Sequence, residues 1–462
     1  MGPIDRIKGA VTLRPRWSPV FTTPPAAALC AVAALFGGTP PAAAAIPPLP
    51  EDPPTFCDWV FNAQGSPPAD GAPRPDYVDL YAGYWELYFG SGFPAGTVFR
   101  IRGQYPLARY FSFQVLDNVY TSLQTLAFLS DFEILPDPGS LSPYPPYPAV
   151  DVVHPSIATA AGSYTIDLVL SPRPAHPAPN TLYLDLSNTP PGETLTLTYR
   201  LYGDFDGVAV AQHGAVPLPA VSEVAPGGEV PAVALETKTR CAFGLHAENA
   251  ELDGPATALG QANSFLGPPG AIPLPSPKAP QFMVFDPAAS KYAINRDERY
   301  VYAKDLSPYQ GDLLLVRMLA PSYATSPTAG TDSQLRYWSV CESGGLKTLS
   351  CLRDEGATLD GGGFVNLVLS VPSKQPVAAD AAHGFNWLDF GATQSGVLIY
   401  RQLLAAPDFT QSAFSVHPGD SPQTVMGDYF PVATYCSGKV FAAYAGTGET
   451  PAQVFAACRA GK

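Results

Sequence analysis

The chain has 462 residues and a formal net charge of −14, with 53 prolines, 41 glycines and charged residues held to 14%. So acidic a balance repels nucleic-acid phosphates and anionic lipid surfaces, and neither is an expected partner. Turn residues spread between short runs of Val, Leu, Thr, Phe and Tyr exclude a mainly helical protein and point to an all-β one.

Residues 1–45 read as an export signal: Arg6, Lys8, Arg14 and Arg16 form a basic lead, 26–36 an apolar run, and 42–45 a small-residue cleavage site. The apolar run is too short to span a bilayer, and no other segment suggests a transmembrane anchor, so a secreted or periplasmic/extracellular location is expected. Cleavage would remove four basic residues and Asp5, taking the net charge from −14 to −17. Cys57, Cys241, Cys341, Cys351, Cys436 and Cys458 would remain, an even set that in an exported chain argues for disulfides. The short separation of Cys341 and Cys351 suits neighbouring hairpin strands. Cys436 with Cys458 and Cys57 with Cys241 complete the expected pairing.

After an N-terminal extension (46–76), a first β-sandwich repeat is expected over 77–225. It opens on a possible helix, 77–89, where Tyr77, Leu80, Tyr81, Tyr84 and Tyr88 fall roughly at helical spacing. Strands are predicted at 97–102, 109–116, 163–170 and 181–186. Over 194–202 the alternation is clean, with Leu195, Leu197, Tyr199 and Leu201 on one face, as in a half-buried strand. The long tract 136–162, with Tyr144-Pro145-Pro146-Tyr147, is a candidate binding loop. Asp204-Phe205-Asp206-Gly207 has alternating oxygen ligands as a calcium loop would, but lacks the late glutamate, so no cofactor is expected beyond that possible calcium. Two proline-rich stretches, 217–233 and 267–280, read as linkers, and 226–280 is expected to be a Pro/Gly-rich linker region with one Cys-containing strand between the repeats. The second repeat, 281–462, has a possible helix at 299–306 and strands at 313–319, 335–341, 347–352, 363–371 and 396–403. It ends in a short helix capped by Thr450, with Pro451 at its first position.

The two repeats are tied by more than composition. Arg109-Tyr110-Phe111-Ser112 is echoed by Arg336-Tyr337-Trp338-Ser339, Leu168-Val169-Leu170-Ser171 by Leu367-Val368-Leu369-Ser370, and Tyr199-Arg200 by Tyr400-Arg401. Order is kept and spacing is not, as when one ancestral unit is copied and diverges in its loops.

Chemistry-bearing residues fall into three groups. Arg109, Arg336, Arg200 and Arg401 could form an anion-binding cluster, because a guanidinium holds a carboxylate or phosphate through paired hydrogen bonds. The competing scaffold reading pairs each arginine of this kind with an acid such as Asp117, Asp131, Glu133 or Asp354. Asp131, Glu133, Asp354 and Glu355 could divide acid and base roles in glycoside hydrolysis if two of them faced each other across a cleft. Tyr144, Tyr147, Trp387 and Trp338 could stack on ligand rings. No Gly-x-Ser-x-Gly elbow, His-Glu-x-x-His or Cys-x-x-Cys motif occurs, so no metal site or nucleophile is assigned.

The combination of Ala108-Arg109-Tyr110-Phe111-Ser112-Phe113, Pro136-Asp137-Pro138-Gly139-Ser140, Asn180-Thr181-Leu182-Tyr183, Val216-Pro217-Leu218-Pro219 and Asn386-Trp387-Leu388 resembles a family of exported bacterial β-rich proteins without an assigned activity. More distantly, it is similar to the paired envelope domains of unknown function found in bacteria. The resemblance implies export and a tandem β architecture, and brings no catalytic residues. The expectation is an all-β protein of two related antiparallel β-sandwich or jelly-roll domains with a few short helices. Its expected function is non-catalytic binding of a glycan, lipid or envelope component. The rival is an extracellular hydrolase acting through paired carboxylates on a polysaccharide or ester.

Overall fold

Ser163–Val169 buries Tyr164, Ile166 and Leu168 and turns the residues between them outward, the period-two pattern of a strand covered on one face. Repeated along the chain, that pattern builds four sheets. The computed structural model describes residues 56–63, 78–117, 125–144, 146–148, 162–190, 193–204, 210–232, 280–285, 295–307, 312–323, 333–344, 347–391 and 396–461. The expected signal, the Cys57 to Cys241 pairing and all but Asp204 of the calcium motif lie outside the described residues or rest on residues that do.

In the first half, Phe56–Ala63 (β1), Ala82–Gly90 (β2), Val98–Gln104 (β3), Ala108–Asp117 (β4), Thr125–Ser130 (β5), Ser163–Val169 (β6), Thr181–Tyr183 (β7), Thr194–Asp204 (β8), Ala220–Ala225 (β9) and Gly228–Pro231 (β10) form two sheets. Their orders are β1-β2-β8-β4-β5 and β10-β9-β3-β6-β7. The second half has Met283–Val284 (β11), Glu298–Leu306 (β12), Leu313–Leu319 (β13), Leu335–Gly344 (β14), Lys347–Arg353 (β15), Phe364–Ser370 (β16), Asn386–Asp389 (β17), Gly396–Ala405 (β18) and Val432–Cys436 (β19). These are ordered β11-β12-β18-β14-β15 and β17-β16-β13-β19. The orders coincide except for β10, which has no counterpart in the second half, and β4 and β14 stand in the same place, each between the last long strand and a hairpin partner. Even the one parallel pairing recurs, β6 with β7 and β16 with β17. The two Arg-Tyr-aromatic-Ser segments therefore occupy one topological position twice.

Each half closes over its own core. Phe99, Ile101, Phe111, Phe113, Tyr164 and Tyr199 fill the first, and Val316, Met318, Trp338, Val340, Leu367 and Tyr400 the second. The β2-β8-β4 and β12-β18-β14 sheets then meet through their outer faces, where Ala82, Tyr110, Tyr202, Tyr337 and Leu403 form a buried cluster drawn from both halves. The molecule is thus layered, with this seam in the middle. Beyond the far sheet of the second half lie two of the three α-helices among the described residues. Pro422–Met426 (α1) caps the core edge, whereas Gly438–Ala445 (α2) and Pro451–Arg459 (α3) cover β13 and β16 with Phe441, Val454 and Phe455.

Several expectations change. The segments 77–89 and 299–306 hold strands β2 and β12 rather than helices. In β2 the aromatic side chains on both faces are buried or half-buried, and in β12 half-buried Tyr300 and Tyr302 alternate with buried Val301 and Ala303; in such short aromatic runs Tyr and Trp favour the strand. The described part of the stretch 217–233 is not a linker but carries the hairpin β9–β10, with Pro217 and Pro219 ahead of β9, Pro226 in its turn and Pro231 at the end of edge strand β10. Strand β1, in the expected extension, pairs with β2 and buries Phe56 in the first core. The terminal helix forms as expected: Thr450 accepts from Gln453 N and Pro451 opens the first turn. Disulfides join Cys341 to Cys351 across β14 and β15, and Cys436 to Cys458 between β19 and α3.

Candidate functional site at the seam

The arginine that opens each repeated motif reaches an aspartate of the opposite half. Arg109 Nη1 lies 2.6 Å from Asp354 Oδ2, and Arg336 Nη1 lies 2.8 and 2.9 Å from the two oxygens of Asp131. Both acids stand in the 3-10 turn that follows the hairpin strand, Asp131 after β5 and Asp354 after β15. Each also accepts a backbone N–H from its own half, Asp131 from Phe111 and Asp354 from Trp338, the aromatic residues of the two motifs. Gly203, with φ +69°, lies against Arg109; a Cβ there would come within 2.6 Å of Cδ. The next motif residue repeats the exchange: Tyr110 donates to Asp297 at 2.8 Å and Tyr337 to Asp79 at 2.9 Å. Ser130 also donates to Asp297, and Ser339 to Asp79.

Between these pairs runs a buried tyrosine network. Tyr300 and Tyr202 donate to Glu298 Oε2 at 2.6 and 3.4 Å, and Tyr202 meets Tyr84 at 2.7 Å. Arg200 and Arg401, at matching positions on β8 and β18, are both buried, and Arg200 lies over the Tyr84 ring. Burial pushes the Asp131 carboxyl up to about 6, against the opposing pull of Arg336. Burial raises Asp354 and Glu298 as well, and takes the Tyr84 hydroxyl up to about 12.

The carboxylates named from sequence are therefore divided. Asp131 and Asp354 are sealed in ion pairs with no exposed side-chain surface, while Glu133 and Glu355 are partly exposed beside Arg296 and Arg353. Glycoside hydrolysis needs two carboxyls open to a bound sugar and a water. The buried pair has neither opening. Trp338 is in the second core, and Trp387 is half-buried beneath the terminal helices, its indole N–H on Ser370. Tyr144 is buried too, donating to the carbonyls of Pro106 and Ala108. Tyr147 alone of these aromatics is exposed. Its hydroxyl crosses the seam to the carbonyl of Ala405, and its ring lies 5.4 Å from Phe132.

Two other apolar side chains of the same tract, the lip, are exposed as well, Leu135 at 53% and Leu141 at 83%. Its described backbone is pinned at several points. Asn180 holds both the N–H and the carbonyl of Leu135, Asp137 N donates to Ser163 O, and Tyr144 is the buried anchor. Side chains held out in this way lose little freedom on contact with a ligand. Sequence reasoning missed Asp79, Asp297 and Glu298, although Asp79 and Asp297 sit just ahead of corresponding strands. Asp79 also lies within ligand distance of Cys341 and Cys351, but those sulfurs are joined to each other and offer no thiolate for a metal.

No protein-family model matches the chain, and no curated protein matches it. Among solved structures it is similar to an uncharacterized protein from Burkholderia cenocepacia, with TM-score 0.45, 15% identity, and coverage of 76% of this chain and 78% of that one. It is also similar to a partial N-terminal region of the enterococcal surface protein (TM-score 0.18, 12% identity, 77% and 85% covered). A third similarity is to the BSP domain of a biofilm associated protein (TM-score 0.18, 8% identity, 77% and 50% covered). At these scores none of them lends this chain a role. Among the described residues, two disulfides and four sheets make the chain an all-β, disulfide-bonded protein, and no helix there is long and apolar enough to cross a membrane.

Proposed function

We propose that the chain acts outside the cytoplasm as a non-catalytic binding protein of the exported family it resembles, contacting a glycan, lipid or other envelope component through the exposed apolar side chains of the lip. The observation that carries this reading is the division of labour around the motif. The arginines and aspartates that chemistry would need are closed into reciprocal buried pairs, while Leu135, Leu141 and Tyr147 are held outward on a pinned loop. A rigid apolar lip with a tyrosine suits stacking on a sugar ring or contact with an acyl chain. The disulfides support an oxidising compartment.

A thermal-shift screen of the oxidised protein against glycans, neutral lipid micelles and metal ions tests the reading, since anything that binds only the native form raises its melting point. The expected result is a hit among glycans or lipids that Leu135→Ser with Leu141→Ser abolishes without lowering the unliganded melting point. Hydrolysis of a polysaccharide or ester, lost on Asp131→Asn, would overturn it in favour of an enzyme.

A further inference from the structure

We infer that the seam is interchangeable between molecules, so that the first half of one chain seats on the second half of a second copy. The contacts have the form that such an exchange requires. Arg109 to Asp354 and Arg336 to Asp131 are the same contact read in opposite directions, as are Tyr110 to Asp297 and Tyr337 to Asp79. That is the self-complementary arrangement of a two-fold interface, realised here within one chain.

Each half also carries what it needs to move as a unit. The two sandwich cores share no residue, so separating the halves opens the seam and leaves both cores closed. Residues 233–279 connect the described parts of the halves, and at roughly 3.3 Å per residue their contour reaches about 150 Å, ample to pass between two molecules. Within one chain the tethered half stands at an effective concentration in the millimolar range, so single molecules prevail when dilute. Chains that fold while crowded close the seam with a neighbour instead. The exchanged dimer has every seam contact twice and requires no new one.

Two full-length chains test this. The first carries Arg109→Met and Asp131→Asn, and the second Arg336→Met and Asp354→Asn. In each chain alone the unaltered half keeps a buried arginine and a buried aspartate without their partners, and melting should fall by roughly 10 °C or more. In an exchanged dimer the two altered halves meet each other and the two unaltered halves meet each other, so no charge is stranded.

Denatured with disulfides intact, mixed in equal amounts and refolded at high concentration, the differently tagged chains should give a one-to-one dimer by light scattering. That dimer should melt within a few degrees of the unaltered protein. A single chain with all four substitutions checks that a neutral seam folds. If it folds while the mixture stays as two low-melting monomers, the inference is overturned. If it does not fold, the same mixing is done with two tagged unaltered chains, and the absence of a mixed dimer overturns the inference equally.

Discussion

Strands β3 and β13 occupy the same place in their sandwiches, yet they meet different surroundings. In β3, Phe99 and Ile101 face the core while Arg100 and Arg102 face solvent, tied to Asp167 and Glu229. In β13 both faces are apolar as far as Val316: Leu314 and Val316 point to the core, and Leu313 and Leu315 pack under Phe441 and Val454 of the terminal helices, with Arg317 paired to Asp360 beyond them. One strand order serves both cases because the sheet sets only which residues share a face. What lies beyond the far face decides whether that face reads as a charge ladder or as a second core.

The comparison breaks most visibly where the cover is removed. Deleting residues 438–462 should expose Leu313, Leu315 and Val368, abolish the cooperative melt of the second sandwich and bring dye-binding apolar surface. Phe441→Ala alone should cost about 3–5 kcal/mol in chemical denaturation. A truncated chain that melts cooperatively within a few degrees of the intact one would show that the helices are ornament. At the seam, which the halves share, Arg336→Ala strands a fully buried Asp131 and should cost about 3–5 kcal/mol by the same measurement.

The next test compares one register position in the two cores. Six residues past each motif arginine stands Val115 in the first half and, in the second, Glu342, fully buried and with no ion pair among the described residues. Burial holds that carboxyl well above its ordinary 4.5, with Asp389 adding to the shift. Glu342→Val should therefore raise stability at pH 7 by roughly 1–3 kcal/mol.

The sign of the pH dependence follows. A carboxyl raised on folding gives its full stabilisation below its unfolded pKa and loses it as pH rises through the folded one. For Asp131 that window runs from 3.8 to about 6. The melting point of the unaltered protein should thus climb as pH falls from 7 toward 5, and climb less in Glu342→Val; a flat or falling curve would contradict both. Smallest of all is Arg100→Ala on the open face, where a partly exposed pair is worth under about 1 kcal/mol and fades in salt.

The duplication was legible because Arg-Tyr-aromatic-Ser is held by the same demands in both halves: an ion pair, a tyrosine bond and an inward aromatic side chain. The predicted strands were found for a related reason, since apolar alternation survives wherever one face meets a core. The strands that failed were β2, covered on both faces, and β12, whose half-buried tyrosines on the face opposite Val301 and Ala303 hid the alternation. Asp131 and Asp354 could be named as partners for some arginine, but not for which one. No spacing rule reaches across 205 or 245 positions, and Asp79 and Asp297 show no such partner in sequence at all. The lip was visible as a long proline-rich tract, while the pinning by Asn180, Ser163 and Tyr144 that makes it rigid was not.

Those separations also order the events by which the chain reaches its native state. Contacts so distant along the backbone reward the chain only after both sandwiches exist, because loop closure must come first. Docking is then expected as the last step, with Arg336 and Asp131 hydrated until it occurs. A newly made molecule would pass through a form with its middle layer open, and that interval is when neighbouring chains can find it.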